Sequence, residues 1–349
     1  MSVRLGVNIR NEDKMLRDYW YIACAGSQLG KEPKAVRVLD KDIVVFRDAE
    51  GVAHALLDRC CHRGVKLSRG KVQENGKIAC GYHGWQYDGA TGRCIHVPSM
   101  HPDANVPENF VVPSFPVAEQ DSYVWVWMGE GAPEPARPPV IDGFNDHGWM
   151  QGVTEFNCNH VMVIENQFDS CHPAYTHVGT HPAYLFLKAR GARESTIELR
   201  LTESGFMSFM PPAKTDDERV PEKTVMFATF DLPGRVFLRQ RAAMIDFQIF
   251  LHVVPTGPSS CRMEWLQRTK SAGHSIQYVE EDPVINVEDR IVLESSQPWY
   301  DQCGNEFERH VEADQSTMMV RKVIASAETG KWNEARANMK QRRLITFRS

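Results

Sequence analysis

Two short runs of cysteine and histidine constrain this chain more than anything else in it. Cys60-Cys61-His62-Arg63-Gly64 is followed, after 17 residues beyond His62, by Cys80-Gly81-Tyr82-His83-Gly84-Trp85. Each run offers one thiolate and one imidazole on neighbouring turns. Brought together, the two hooks make a set of two thiolates and two imidazoles. Zinc accepts such a set. A two-iron two-sulfur cluster accepts it too, with both cysteines on one iron and both histidines on the other. There, neutral imidazoles in place of negative thiolates raise the reduction potential.

Spacing separates the two metals. Zinc fingers pair Cys with Cys and His with His within a hook, whereas these hooks are Cys-x-His and Cys-x2-His. At this separation, and with glycine and an aromatic after the second histidine, they resemble the Rieske motif. The resemblance implies a 2Fe-2S cluster held by Cys60, His62, Cys80 and His83. Proline is common in the family between the first cysteine and histidine; here that residue is Cys61, which is left as a non-ligand thiol beside the cluster. Cys94 and His96 fall outside both hooks and read as core or turn residues.

The hooks occupy only part of 349 residues, a length that suggests two domains and a core needing no metal staple. From 35 to 130 the chain reads as short strands broken by turns (36–39, 43–46, 52–57), ending in the alternating run Tyr123-Val124-Trp125-Val126-Trp127-Met128. The four prolines of 131–139 cannot belong to a helix interior or a central strand. The expected organisation is therefore 1–130, a linker at 131–140, and a second domain over 141–349. The second domain mixes strands (206–210, 225–230, 245–254, 261–268) with helical stretches around 160–176, 281–296 and 314–327, an α+β pattern. Met318, Met319, Val323 and Ile324 form an apolar stripe expected to be core. Residues 211–223 read as a solvated loop, and Lys340, Arg342, Arg343 and Arg348 as a solvated basic end.

A second constellation opens that domain. Glu165-Asn166-Gln167-Phe168-Asp169-Ser170-Cys171-His172-Pro173-Ala174-Tyr175-Thr176-His177 contains Asp-x2-His-x4-His. On a regular helix, positions five apart lie about 140° from each other, so His172 and His177 face one point only if the helix is distorted, and Pro173 can do that. Two imidazoles and one carboxylate on one face of iron(II) leave positions open for oxygen and substrate, the facial triad of non-haem oxygenases. After a Rieske-like motif and a linker, the run resembles the Asn-x2-Asp-x2-His-x4-His of Rieske non-haem iron oxygenases. That assigns His172 and His177 and leaves His181 outside the ligand set.

The resemblance covers nearly the whole chain, from Asp18-Tyr19-Trp20-Tyr21-Ile22-Ala23 to the acidic stretch near 288. It implies a small antiparallel β Rieske domain plus a helix-grip catalytic domain with a curved antiparallel sheet. It also implies a downstream carboxylate ligand, for which Glu280, Glu281, Asp282, Glu288, Asp289 and Glu294 are candidates. Glu288-Asp289-Arg290-Ile291 looks like the run that carries the ligand in the demethylase and monooxygenase branch, which points to Asp289. Asp169 resembles the carboxylate that links a cluster histidine, here His83, to an iron histidine, here His172, for electron transfer.

The expected activity is that of an oxygenase component. A reductase, with or without a ferredoxin, passes electrons from NAD(P)H through the cluster to mononuclear Fe(II), O2 is activated, and an aromatic or heterocyclic small molecule is hydroxylated or demethylated. Ring cis-dihydroxylation is the alternative, and an electron carrier or binding protein without oxygenase activity is a more distant one. The family implies a homotrimer in which one subunit's cluster serves the next subunit's iron. A net charge of -5 argues against a nucleic-acid partner. Residues 1–16 contain no apolar h-region and no later stretch reaches 18 apolar residues, so the expected location is cytoplasmic, away from membranes, with reduced thiols.

Overall fold

The computed structural model describes residues 15–141, 143–144, 148–181, 194–209, 225–242, 245–269 and 276–348. The expected loop 211–223 and the first 14 residues of the expected first domain lie outside them. Contacts divide the chain into two compact units, one being Arg17–Asn145 and the other containing Asp146–Ser349. The proline-rich segment is tied to the first unit: Trp20 Nε1 donates to the Pro135 carbonyl at 2.9 Å, and Gln120 Nε2 to that of Pro138 at 2.9 Å. The division thus falls a few residues beyond 131–140.

The first unit is all β. Trp20–Ala25, Tyr123–Trp127 and Val117–Gln120 make a three-stranded sheet, and every residue of Tyr123–Trp127 is buried. Lys34–Val38, Lys41–Arg47, Ala53–Leu57 and Ser114–Phe115 make a four-stranded one. A second four-stranded sheet, Lys71–Val72, Ile78–Ala79, Gln86–Tyr87 and Cys94–His96, holds the second hook in its central hairpin. The first hook follows the end of Ala53–Leu57. Buried Asp58 fixes its exit by accepting from the Ser68 amide at 2.7 Å and hydroxyl at 2.6 Å. Phe46, Leu56, Leu67, Ile78, Tyr87 and Val112 pack behind both hooks in one core.

The second unit is built on a nine-stranded sheet in the order Gln277–Tyr278, Trp149–Phe156, Ser260–Thr269, Ile245–Gly257, Arg235–Ala242, Val225–Asp231, Gly205–Phe209, Glu194–Leu201, Arg342–Arg348. All pairs are antiparallel except the first. One face carries Phe206, Phe230, Val236, Leu251 and Val253, all buried, and Phe168 packs on it with rings 4.8 Å from Phe206. The fold is α+β, as expected.

Lys340, Arg342, Arg343 and Arg348 are exposed as expected, but the basic end is an edge strand rather than a tail. Ile345 and Phe347 are buried, so the period-2 pattern of 344–347 places them on the core face, while Arg342 Nη2 reaches buried Glu198 at 2.7 Å. Arginines at its ends charge the sheet edge without preventing pairing. The stretch 160–176 is also not one helix. It divides into His160–Asn166 and a single turn, Pro173–Thr176, with 167–172 between. Three further helices are described, Val284–Cys303, Gln315–Glu328 and Trp332–Ala337, and Met318, Met319, Val323 and Ile324 are buried as expected.

Candidate metal centres

In the first unit the two hooks repeat one backbone design. Cys60 N–H donates to Val65 O at 2.8 Å and Gly64 N–H to Cys60 O at 2.9 Å; Cys80 N–H donates to Trp85 O at 2.9 Å and Gly84 N–H to Cys80 O at 3.0 Å. Gly64 and Gly84 take φ of 74° and 70°, the left-handed region where a side chain is strained, so glycine closes each turn. Both cysteines are 3% exposed, whereas His62, His83 and Cys61 are exposed. The imidazoles of His62 and His83 lie 4.8 Å apart, with Trp85 stacked on His62 at 4.5 Å. Cys80 and Cys60 are within hydrogen-bond reach of each other. Burial, and to a lesser degree Cys60, pushes the Cys80 thiol up, while the backbone N–H groups of Tyr82 and His83 pull it down. Two sheltered sulfurs close together and two neighbouring imidazoles fit a 2Fe-2S cluster. Cys94 is buried and His96 exposed in the strand behind, as expected of core and turn residues.

In the second unit His172 precedes, and His177 follows, the turn Pro173–Thr176; His172 keeps helical angles (φ -57°, ψ -35°), whereas His177 leaves them (φ -102°, ψ 51°). That break solves the spacing problem: the rings sit 5.3 Å apart. The third member comes from Val284–Cys303. Asp289, 7% exposed, places Oδ1 at 3.2 Å from His177 Nε2 and 3.5 Å from His172 Nε2. One ligand atom from each of the three lies within 4.8 Å of the others.

The far nitrogens explain why these atoms point inward. His172 Nδ1 lies 2.9 Å from the Asp169 carbonyl, and His177 Nδ1 2.8 Å from Glu288 Oε2. Both partners only accept, so each Nδ1 carries the proton and each Nε2 keeps its lone pair for the shared point. Asp289 Oδ1 is buried and makes no hydrogen bond. Burial above all raises the Asp289 carboxyl to about 6 and lowers His172 to about 4. A cation at the focus removes the cost of holding the carboxylate charge there, so the three residues fit a mononuclear metal.

Of the other candidate acids, Glu280 and Glu281 are exposed, whereas three have partners. Glu288 orients His177 and accepts from Thr180 Oγ1 at 2.8 Å; Asp282 pairs with Arg290 at 2.6 Å; Glu294 accepts from the Asn157 amide at 2.7 Å. Glu288 was a candidate ligand in the sequence; its role as the acceptor for His177 Nδ1 was missed, and its position next to Asp289 was the only signal. His181 stays outside the triad, its ring 5.9 Å from His177.

Asp169 differs from expectation within the chain. Its backbone carbonyl, not its carboxylate, meets the His172 ring. Carboxylate Oδ1 instead accepts from the amides of Cys171 at 2.8 Å and His172 at 3.2 Å, closing the turn that breaks the helix. Two clamps hold the segment before it. Asn159 N–H donates to Gln297 at 2.7 Å. Buried Arg321 bridges Glu165, at 2.7 Å from Nη2, and Glu308, while Ser316 Oγ donates to Phe168 O at 2.9 Å. Asp169, His172, Asp289, Arg309 and His310 are among the residues that line a cavity of about 560 Å³.

Residues 19–116 match the Rieske 2Fe-2S domain, and residues 156–330, half of the chain, match the vanillate O-demethylase oxygenase C-terminal domain. The chain belongs to the Rieske non-haem iron oxygenases, in the branch with a vanillate O-demethylase type of catalytic domain. The oxygenase component of dicamba O-demethylase from Stenotrophomonas maltophilia is 35% identical over 167 residues, 46% of this chain and 48% of that protein. The oxygenase subunit of tert-butanol monooxygenase / tert-amyl alcohol desaturase from Aquincola tertiaricarbonis is 37% identical over 46% of this chain and 34% of that one. The match thus spans about half the length of the first relative and about a third of the second. The crystal structure of dicamba monooxygenase bound to dicamba superposes with a TM-score of 0.70 at 22% identity, over 91% of this chain and 98% of that one. Pseudomonas putida CBB5 NdmA with caffeine gives 0.71 at 22% identity, over 97% and 100%, so the fold is shared far beyond the sequence match. No described helix is long and apolar enough to cross a membrane.

Proposed function

We propose that this protein is the oxygenase component of a reductase-dependent Rieske system, and that it hydroxylates or demethylates an aromatic or heterocyclic small molecule in the cytoplasm. One observation carries the reading: His172 Nε2, His177 Nε2 and Asp289 Oδ1 converge within 4.8 Å while both Nδ1 atoms are occupied by acceptors. Cys60, His62, Cys80 and His83 would hold the 2Fe-2S cluster. His172, His177 and Asp289 would hold the mononuclear iron. When bound, the cluster supplies single electrons, and iron(II) on a three-ligand face supplies open positions for O2 and substrate.

The protein's own residues supply the rest. Glu288 and the Asp169 carbonyl fix the two imidazoles in one tautomer. Arg321 and Gln297 lock the segment that presents them. Asp169 is the electron-transfer bridge of this reading, in which its carboxylate takes the N–H of His83 from a second subunit while its backbone orients His172. A homotrimer belongs to this reading, and Tyr175, Val178, Ile291, Trp299 and Val311 of the catalytic unit are apolar side chains exposed in the single chain. The match to the vanillate O-demethylase type of domain favours monooxygenation or demethylation over ring dihydroxylation.

The test is to screen methoxylated, N-methylated and carboxylated aromatics with a reductase and NAD(P)H. Substrate-dependent formaldehyde release, from protein holding three irons per chain, is the expected result. A dihydrodiol with no formaldehyde would assign the dioxygenase reading. A protein with two irons and no turnover would leave an electron carrier. Mixed trimers of Cys80→Ala and His172→Ala chains should regain part of the activity that each lacks alone.

A further inference from the structure

Beside the first hook lies a group that the ligand set does not use. Tyr87, fully buried in the strand Gln86–Tyr87, brings its Oη to 3.0 Å from Cys60 Sγ and 3.3 Å from Cys61 Sγ. The backbone N–H of Cys61 also donates to it, at 3.2 Å. A phenol has one proton and two lone pairs. A cysteine that ligates iron is a thiolate and only accepts, so the Tyr87 O–H goes to Cys60. The two lone pairs then face one residue, and Cys61 fills one with its N–H and the other with its S–H.

We propose that Cys61 is a positioning residue that saturates the Tyr87 hydroxyl and strengthens the hydrogen bond Tyr87 gives to Cys60 Sγ, holding the cluster potential up. The inference rests on the cluster reading above. Its physics is direct: a donor to a ligand sulfur favours the reduced, more negative cluster. Each hydrogen bond accepted at Oη polarises the donated one, by roughly 10–30% per bond. Proline at this position has neither N–H nor thiol, so a chain carrying the family's common residue lacks both bonds.

Redox titration of the cluster in the purified, metal-loaded protein, followed by its visible spectrum, tests this. Tyr87→Phe should shift the reduction equilibrium towards the oxidised cluster by about tenfold, or 59 mV for one electron. Cys61→Pro should shift it in the same direction by about threefold, and Cys61→Ala by about twofold, since fewer polarising bonds are lost. Cys61→Ser keeps both donors and should restore the wild-type potential. In a Tyr87→Phe background Cys61→Ala should add nothing, because the effect runs through the hydroxyl. A Cys61→Ala protein with an intact Rieske spectrum and an unchanged potential overturns the inference, as does a shift that persists without the Tyr87 hydroxyl. Wild-type protein with no Rieske spectrum overturns the cluster reading instead.

Discussion

The two candidate metal centres are made in opposite ways. The four candidate cluster ligands lie between positions 60 and 83, on two turns that share the same pair of backbone hydrogen bonds and the same left-handed glycine. The triad draws on His172 and His177, flanking one turn of helix, and on Asp289 from a separate 20-residue helix. Nothing in it repeats. His172 is oriented by a backbone carbonyl and His177 by a carboxylate. A centre built from local turns carries its ligand set in its spacing. A centre assembled from distant elements needs supporting residues to aim each ligand, and those supports are where it can be weakened without losing a ligand.

Removing ligands should separate the centres completely. Asp289→Ala should drop iron from three to two per chain and leave the cluster colour, whereas Cys80→Ala should bleach the protein. Metal analysis with visible spectroscopy reads both, and a bleached Asp289→Ala would mean the centres are not independent.

The supports come next. Glu288→Ala should weaken iron(II) binding at the triad by about 10- to 100-fold, as for other partners of metal-bound histidines, with no change in the cluster spectrum. Unchanged affinity would reduce Glu288 to a surface acid. Asp169→Asn removes a charge without removing a ligand. It should keep three irons per chain, yet lower substrate-coupled turnover by at least about tenfold. Wild-type turnover would end the bridging role.

Near neutral pH the smallest effect is one of pH, and it grows on acidification. With Asp289 at about 6 and His172 at about 4, iron(II) must displace a proton from the raised carboxyl below pH 6 and a second from the imidazole below pH 4. Affinity at the triad should be level above about pH 7, fall about tenfold per pH unit below 6, and fall more steeply below 4. Equilibrium dialysis of the Cys80→Ala protein isolates this centre; affinity that rises on acidification would contradict the burial of Asp289.

Much of this protein was legible in its sequence because the physics concerned is local. Hook spacing, the glycine that closes each hook, and the alternating run of 123–128 specify turns and strands within a few residues, and the short-strand unit and the two hooks followed. Pro173 showed that a regular helix could not carry both histidines. Other features depended on neighbours far away in the chain. Which of six acids turns inward is decided by how Val284–Cys303 packs against His160–Asn166, and that packing rests on the reach from Gln297 to Asn159. The basic residues at 342–348 look like a tail until Glu194–Leu201 offers an edge to pair with. The Asp169 carboxylate, read as a ligand-linking group, is drawn first to the amides of its own turn because they are nearest. Sequence determines what each residue can bond; only the tertiary structure decides which partner lies within 3 Å, because hydrogen bonds and metal ligation vanish over a single extra ångström.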